Sequence, residues 1–294
     1  MQEYIRMLRV DEKRDLLRAA LRGAHPVRAV GAHDGLTAKI VAEAGFEAVW
    51  VSSFELSASH GLPDASLLTM TQYLDAAEDV DAVIDIPVIA DCDTGFGGPL
   101  NVSYLMQRYA RRHIAAVCIE DKMFPKINSF AEAAQDLISA EEFALKIKAG
   151  KEVLDGDGPL LIARTEALIS GSGVDEALDR GHAYAAAGAD VVLVHSKSKR
   201  PDEVLEFGAR WDLDVPLAAV PTTYSQVTEA TLREAGYGLV IYANHSLRAA
   251  VRGVREVLDR LTHAGRAADV ESRISPMAEI FALQGMPARF SATP

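Results

Sequence analysis

Short apolar segments alternate with longer amphipathic ones along the chain, and this alternation recurs eight times. The short segments are almost continuously hydrophobic, as expected of strands buried on both faces of a parallel sheet. The longer segments carry apolar residues at helical spacing, and several end in Ala-Gly, a pair that commonly stops a helix before the next strand. The eight predicted strands are Val27–His33, Ala48–Ser53, Pro87–Cys92, Ala115–Glu120, Pro159–Glu166, Ala189–Ser196, Pro216–Thr222 and Gly238–Asn244.

Eight β/α units in one unbroken series favour a closed barrel over an open doubly wound sheet. The predicted class is therefore α/β, a (β/α)8 TIM-type barrel that occupies residues 1–294 as a single domain. Two helical segments lie outside the eight units, near Asp11–Arg22 and at about 275–285, where Pro276–Gln284 has apolar residues at helical spacing. The second has no strand after it, so we expect it to pack on its own barrel or on a neighbouring subunit.

The net charge and the cysteine content limit which binding partners and which cellular compartment are expected. The formal net charge of -12 argues against nucleic acid or an anionic membrane surface, since both need a basic face. Cys92 and Cys118 each lie in an apolar, strand-like run and are expected to be reduced core residues. The first residues are too polar for a secretory signal. No apolar run approaches the roughly 20 residues that a membrane-spanning helix needs. We expect a cytoplasmic protein.

Polar residues cluster where the predicted strands end, which in a (β/α)8 barrel is the face that carries the active site. Asp91 and Asp93 lie at the end of the third strand, where residues two apart can face the same side. Glu120 ends the fourth strand. Arg164 and His195 end the fifth and sixth strands. Neighbouring carboxylates repel one another unless a cation joins them, and an all-oxygen set suits Mg2+ or Mn2+. The sequence therefore predicts a metal site at Asp91, Asp93 and Glu120.

A long segment of about 121–139 follows the fourth strand, and its length is unusual for a β/α loop in a compact domain. Such a loop is typical of a lid that closes over an active site. Lys126 on this lid could contact a phosphoryl group, with Asn128 and Ser129 as neutral hydrogen-bond donors nearby. A solvated loop with an ordinary lysine is the alternative interpretation.

Six phrases of the sequence resemble the isocitrate lyase/phosphoenolpyruvate mutase superfamily, and within it the phosphoenolpyruvate mutases. They are GAHDGLTAKI, GLPDASLLTM, ADCDTGFG, CIEDKMFPKINS, IARTEALI and YANHSLRA, and the similarity spans about residues 27 to 285. The resemblance implies Mg2+-dependent interconversion of phosphoenolpyruvate and phosphonopyruvate, with transfer of a phosphoryl group between oxygen and carbon. It also implies a homo-oligomer, a dimer or tetramer, in which the C-terminal helix is exchanged between subunits.

The resemblance further implies roles for individual residues. Magnesium would sit on Asp91, and Asp93, Glu120 and Asp64 would hold its water shell. The remaining matched positions would contact the substrate: the backbone at Ser52, Ser53 and Phe54 for the enolate, Arg164 and His195 for the carboxylate and phosphoryl ends, Trp50 beneath the site, and Lys126, Asn128 and Ser129 on the lid. Asp64 is expected to orient the reactants rather than to be phosphorylated.

Two departures from the mutase pattern stand out. Mutases have glycine where this chain has Ser53, and the lid after Ser129 lacks a Gly-Arg step that relatives share. The alternative activity is phosphonopyruvate hydrolysis to pyruvate and phosphate, for which the lid pattern is Lys-x-Thr-Ser; Asn128 favours the mutase. A superfamily lyase would need a cysteine in a Lys-Lys-Cys-Gly-His-type loop, and a barrel without chemistry would leave the matched positions unexplained.

Because formation of a C–P bond is energetically uphill, the resemblance also predicts a phosphonopyruvate decarboxylase acting next in the pathway.

Overall fold

A computed structural model of the chain describes residues 10–154 and 158–286. Eight parallel strands form a closed barrel in which each strand pairs with the next and β8 pairs with β1, so that Val27 lies opposite Leu239. The predicted (β/α)8 barrel is confirmed, and all eight strands fall within or beside their predicted runs. They are β1 (Val27–Gly31), β2 (Ala48–Val51), β3 (Val88–Asp91), β4 (Ala116–Glu120), β5 (Leu160–Thr165), β6 (Val191–Val194), β7 (Leu217–Ala219) and β8 (Tyr237–Tyr242).

Helices follow the strands and cover the outside of the barrel. Two of them, α3 and α7, were not predicted; they are short, mostly buried, and start directly after β2 and β5. The helices are α1 (Val10–Leu21), α2 (Gly35–Glu43), α3 (Ser53–Ser59), α4 (Met70–Asp81), α5 (Pro99–Arg111), α6 (Ala140–Glu152), α7 (Ala167–Ser170), α8 (Gly173–Ala186), α9 (Asp202–Arg210), α10 (Glu229–Glu234), α11 (His245–Ala264) and α12 (Met277–Leu283).

The core has an inner and an outer layer. Inside the barrel, side chains such as Trp50, Ile89 and Leu193 pack on one another, as alternate strand residues do in this architecture. Leu17 and Leu21 of α1 join the same cluster and close the end of the barrel opposite the strand C-termini. The outer layer lies between the strands and the surrounding helices. Cys92 and Cys118 are buried free thiols in these layers, as predicted.

The last two helices lie at the margin of the barrel. Every side chain of α11 is exposed or half-buried, although the helix is strongly amphipathic and carries Val251, Val254 and Leu258. α12 contacts α2 of the same chain, where Lys39 Nζ donates to the Leu283 carbonyl at 2.6 Å. The predicted N-terminal and C-terminal helices are thus present, while exchange of the latter between subunits stays a prediction. Within the described ranges, no helix is long and apolar enough to cross a membrane.

Candidate active site

A cavity of about 270 Å³ opens at the C-terminal ends of the strands. Its lining combines strand ends, the start of α3 and the lid, so residues far apart in the sequence share one space. Of the thirteen predicted site residues, Asp93 and Glu120 are buried beside the cavity rather than on its surface. The other eleven line it: Trp50, Ser52, Ser53, Phe54, Asp64, Asp91, Lys126, Asn128, Ser129, Arg164 and His195.

The start of α3 and the end of β3 form the acidic wall of the cavity. Ser52 is the N-cap of α3, and its hydroxyl accepts from the Glu55 N–H. Ser53, one residue later, donates its hydroxyl to Asp91 Oδ2 at 2.8 Å and its backbone N–H to the same oxygen at 3.3 Å. Ser53 is a departure from the mutase pattern, and its hydroxyl adds a donor to Asp91 that glycine cannot supply.

The lid is closed over this wall. Lys126 Nζ lies 2.8 and 2.9 Å from the two carboxylate oxygens of Asp64, 3.1 Å from Asp93 Oδ1 and 3.2 Å from Ser53 Oγ. Asn128 donates its side-chain amide to Asp64 Oδ2 at 2.8 Å and its backbone N–H to the Asp64 carbonyl at 3.0 Å. Asp64 therefore accepts from two polar side chains of the lid, Lys126 and Asn128.

Burial and charge shift the titration of this wall. Burial raises the pKa of Asp91, against the opposing effect of the nearby Lys126 ammonium. Burial likewise raises the pKa of Glu120 to about 7. For Lys126, burial alone lowers the pKa, but Asp93, Glu120, Asp64 and Asp91 together hold it well above its usual value. The carboxylates of the site thus outnumber its cations, and the ammonium of Lys126 on the lid neutralises part of their negative charge.

The donor set fits a hard divalent cation bound through few direct ligands. The side-chain oxygen Glu120 Oε1 is buried and accepts no hydrogen bond from the described part of the chain. Residues 10–154 and 158–286 do not present three carboxylates, histidines or cysteines grouped at direct ligand spacing. The Lys126 ammonium lies 3.1 Å from Asp93 Oδ1. The predicted trio Asp91, Asp93 and Glu120 is therefore not a three-carboxylate cage. It suits Mg2+, which keeps several of its waters.

A second charged group, absent from the predicted site, centres on Glu166, which follows β5 and is fully buried. Its Oε1 lies 2.5 Å from Arg164 Nε and 2.8 Å from His195 Nδ1. Arg164 Nε also lies 3.2 Å from Glu120 Oε2. Although burial favours the neutral acid, Arg164, His195 and Lys122 hold the pKa of Glu166 well below its usual value. Glu166 is thus an ionised carboxylate inside the protein.

The same carboxylate reaches the lid through its other oxygen. Ser129 donates to Glu166 Oε2 at 2.5 Å, and Lys122 Nζ lies 3.3 Å from that oxygen. Lys122 also donates to Ser129 Oγ at 2.7 Å and to the Ile127 carbonyl at 2.9 Å. The lid is therefore fastened at two places, at Asp64 and at Glu166.

His195 is neutral in this environment. Burial and the Arg164 guanidinium lower its pKa to about 4. Its Nδ1 lies 2.8 Å from Glu166 Oε1 and 2.7 Å from Arg164 Nη2, but a single ring nitrogen satisfies only one of them. We assign the proton to Nδ1, donating to Glu166, because an ionised carboxylate only accepts and Arg164 Nη2 has another acceptor in Ser129 Oγ at 3.2 Å.

Glu166, Lys122 and several cavity residues were not among the predicted site residues. Phe130, Val220, Thr222, Ala243 and Asn244 also line the cavity. The available signal was position: Thr222 and Asn244 end predicted strands, and Glu166 lies two residues after Arg164 in IARTEALI. Since every strand end carries polar residues, position alone could not separate these from capping residues such as Asp34, which accepts from the Thr37 N–H.

Comparison with known proteins identifies the family of this chain. Residues 17–262 match the family described as phosphoenolpyruvate phosphomutase. The chain is 44% identical over 275 residues to a phosphonopyruvate hydrolase of Variovorax sp. (strain Pal2), covering 93% of this chain and 95% of the relative.

Two solved structures have the same fold. The crystal structure of a phosphoenolpyruvate phosphomutase from Streptomyces platensis subsp. rosaceus superposes with a TM-score of 0.91 at 47% identity, covering 93% of this chain and 95% of that one. A phosphonopyruvate hydrolase in complex with oxalate and Mg2+ superposes with a TM-score of 0.87 at 44% identity, with the same coverage.

A closed barrel with an acidic, lid-covered cavity at its strand C-termini defines a (β/α)8-barrel enzyme. The chain belongs to the phosphoenolpyruvate phosphomutase family, within the phosphoenolpyruvate mutase/isocitrate lyase superfamily.

Proposed function

We propose that this enzyme is a Mg2+-dependent phosphoenolpyruvate mutase that interconverts phosphoenolpyruvate and phosphonopyruvate. The observation that carries the proposal is the closed lid, whose Asn128 amide donates to Asp64 at 2.8 Å above the cavity. Transfer of a phosphoryl group from oxygen to carbon within one cavity requires that water does not intercept it. Relatives that bear the mutase name and relatives that bear the hydrolase name both support phosphonopyruvate as a substrate.

The side chains present suit a loose, metaphosphate-like transition state, which needs positioning and positive charge more than covalent help. Lys126 and Arg164 bring two cations to the cavity, and His195 adds a neutral imidazole. Asp64 is held by Lys126 and Asn128, which suits an orienting, electrostatic role rather than a free nucleophile. Ser129 adds a hydroxyl to the lining, so that lid and barrel together surround the transferred group.

The pyruvyl part of the substrate would lie against the start of α3. The first N–H groups of a helix have no partner within it, so the Phe54 N–H is placed to bind negatively charged oxygen, whereas the Ser53 N–H already donates to Asp91 Oδ2. Trp50, buried inside the barrel, forms part of the cavity surface. Asp91 would hold Mg2+ directly, with Asp93, Glu120 and Asp64 bound to its waters. When bound, this ion supplies positive charge that stabilises an enolate.

Phosphonopyruvate hydrolysis is the second candidate. It is favoured by 44% identity to a hydrolase along nearly the whole chain. In that reaction water takes the phosphoryl group, and the products are pyruvate and phosphate. The same cavity, cations and carboxylates would serve both reactions, and the two differ in whether water reaches the phosphoryl group.

Phosphorus NMR of the purified protein with phosphonopyruvate and Mg2+ tests both candidates. A mutase converts the phosphonate signal into that of phosphoenolpyruvate, and a hydrolase converts it into that of free phosphate. The absence of turnover by a folded protein would refute both. Because the mutase equilibrium favours phosphoenolpyruvate, a phosphonopyruvate decarboxylase is the expected pathway partner, and adding one should draw the reaction towards the phosphonate.

We further propose that the enzyme acts in the cytoplasm as a homo-oligomer, a dimer or tetramer with an exchanged C-terminal helix. Exposed apolar side chains support this: Val254 and Leu258 on α11 are 57% and 54% exposed, and Met277 and Phe281 on α12 are 63% and 41% exposed. Such residues at helical spacing form an apolar face that water does not favour. Light scattering during size-exclusion chromatography measures the mass. A monomer at micromolar concentration would contradict the proposal.

A further inference from the structure

Glu166 bridges the lid and the anion-binding side chains of the barrel. One carboxylate oxygen, Oε1, contacts Arg164 Nε at 2.5 Å and His195 Nδ1 at 2.8 Å. The other, Oε2, accepts from Ser129 at 2.5 Å and lies 3.3 Å from Lys122 Nζ. All four partners are donors, and an ionised carboxylate has enough lone pairs to accept from each of them.

The two halves of this arrangement are physically coupled because the carboxylate is rigid and planar. Moving Ser129 away with the lid removes its hydroxyl from Oε2 and leaves Lys122 Nζ, 3.3 Å away, as the other donor. Glu166 is fully buried while the lid is closed, so loss of the Ser129 hydroxyl requires its carboxylate to rotate or to take another donor. Rotation would change the directions in which Arg164 and His195 are held. Closure of the lid is thereby communicated to the groups that face the substrate.

On this basis we propose that Glu166 is a positioning residue that couples lid closure to the orientation of Arg164 and His195. The inference rests on the proposed phosphoryl-transfer function, which it deepens. Its consequence is that Arg164 and His195 reach their working geometry when Ser129 has closed on Glu166. While the lid is open and water can enter, Arg164 and His195 would lie out of position, so phosphoryl transfer would not begin. This limits loss of the phosphoryl group to water.

The neighbouring contacts support a positioning role over a purely structural one. Arg164 Nη2 also donates to Ser129 Oγ at 3.2 Å, so the lid hydroxyl contacts the guanidinium as well as the carboxylate. The backbone N–H of Glu166 donates to Asp121 Oδ1 at 2.9 Å, and Asp121 accepts from Tyr184 and Arg180. The main chain at Glu166 is therefore anchored independently of the lid, and its side chain is the part that can respond to the lid.

Two variants test the contacts of Glu166 with the barrel and with the lid, and a third variant is the control. Glu166→Gln keeps the shape but replaces one carboxylate oxygen by an amide that donates, so one pair of partners must lose its acceptor. Ser129→Ala removes the lid contact and leaves the contacts of Glu166 with Arg164 and His195. Glu206→Gln is the matched control, since Glu206 is exposed on α9 and pairs with Arg210 at 2.9 Å. Thermal unfolding and circular dichroism establish that each variant is folded.

The first measurement needs no turnover. Hydrogen exchange at the Asn128 amide, which donates to the Asp64 carbonyl, reports lid opening with and without oxalate and Mg2+. We expect oxalate and Mg2+ to slow this exchange in the wild type and in Glu206→Gln. In Glu166→Gln and Ser129→Ala the slowing should be at least about tenfold weaker. Equal protection in all four proteins would overturn the coupling even if the protein did not act on phosphonopyruvate.

The second measurement uses phosphonopyruvate. A misplacement of reacting groups by about 1 Å costs on the order of 100-fold in rate. We expect Glu166→Gln to lower kcat by about that factor with a smaller change in KM, and to raise the share of free phosphate. A double variant that combines Glu166→Gln with Ser129→Ala should be hardly worse than Glu166→Gln alone. Independent, multiplicative losses, or a normal product ratio, would refute the role; an inactive wild type would instead refute the proposed function.

Discussion

Asn128 offers the sharpest test of water exclusion by the lid. Its side-chain amide donates to Asp64 Oδ2 at 2.8 Å, whereas its backbone N–H separately donates to the Asp64 carbonyl. Asn128→Ala therefore removes one hydrogen bond to a charged group and leaves the backbone contact in place. A hydrogen bond of that kind contributes about 1.5–3 kcal/mol, and about 1.4 kcal/mol corresponds to a factor of ten. The ratio of closed to open lid should fall roughly 10- to 100-fold.

Water reaches the cavity when the lid is open, so the share of phosphonopyruvate converted to pyruvate and phosphate should rise by a similar factor until it dominates. Phosphorus NMR measures both products in one sample. Asn128→Thr should act in the same direction, because a hydroxyl on the β-carbon is too short to reach Asp64. Glu132→Ala, an exposed lid substitution, is the control. An unchanged product ratio in folded Asn128→Ala protein would show that this residue does not exclude water.

Four other substitutions have clear expected outcomes. Asp91→Ala should abolish Mg2+-dependent turnover and weaken Mg2+ binding in calorimetry, while circular dichroism stays unchanged because one buried, repelling carboxylate has been removed; turnover at the wild-type rate would refute the metal assignment. His195 has a folded-state pKa of about 4, below its unfolded value near 6.5, so its contribution to stability is present above about pH 6.5 and is lost as the pH falls towards 4. Denaturant titrations should show His195→Asn lacking roughly 3 kcal/mol of that pH dependence, and identical pH profiles would contradict the low pKa. Gly208→Ala should destabilise the protein by about 1–3 kcal/mol, since the added Cβ would lie 2.2 Å from the Ala235 carbonyl oxygen. Gly253→Ala in α11 meets no described atom within 4 Å and should stabilise by about 0.5–1 kcal/mol; thermal unfolding of the pair checks both signs.

The barrel could be predicted because its signal repeats along the sequence. Strands buried on both faces are continuously apolar, and eight copies of one pattern make the count robust. The short helices α3 (SFELSAS) and α7 (ALIS) were missed because 7 and 4 residues are too few to show the helical spacing of apolar residues. Ser53 was therefore assigned to a strand end, whereas it is the first residue of α3, and Glu166 was placed in β5, whereas it caps α7.

Eleven of the predicted site residues line the cavity, but the contacts among them could not be predicted. Residue type and strand-end position brought Asp91, Arg164 and His195 to one face, and the resemblance added Asp64 and the lid. The sequence could not indicate that Lys126 lies beside Asp93, because that contact joins a lid to a strand end through tertiary structure. The charged group centred on Glu166 was also missed because it forms only in the tertiary structure. Its members come from three separate β/α units.

Pairing of β8 with β1 has a consequence for how the enzyme is made. Val27 pairs with Leu239, about 210 residues later, so the ring of strands closes only after nearly the whole chain has left the ribosome. The cavity depends on that closure, since Asn244 after β8 and Trp50 of β2 share it. A nascent chain can fold its early β/α units while its catalytic cavity still lacks a wall. During synthesis the β/α units can therefore form one after another, whereas the binding cavity is complete only when the last strand has joined the barrel.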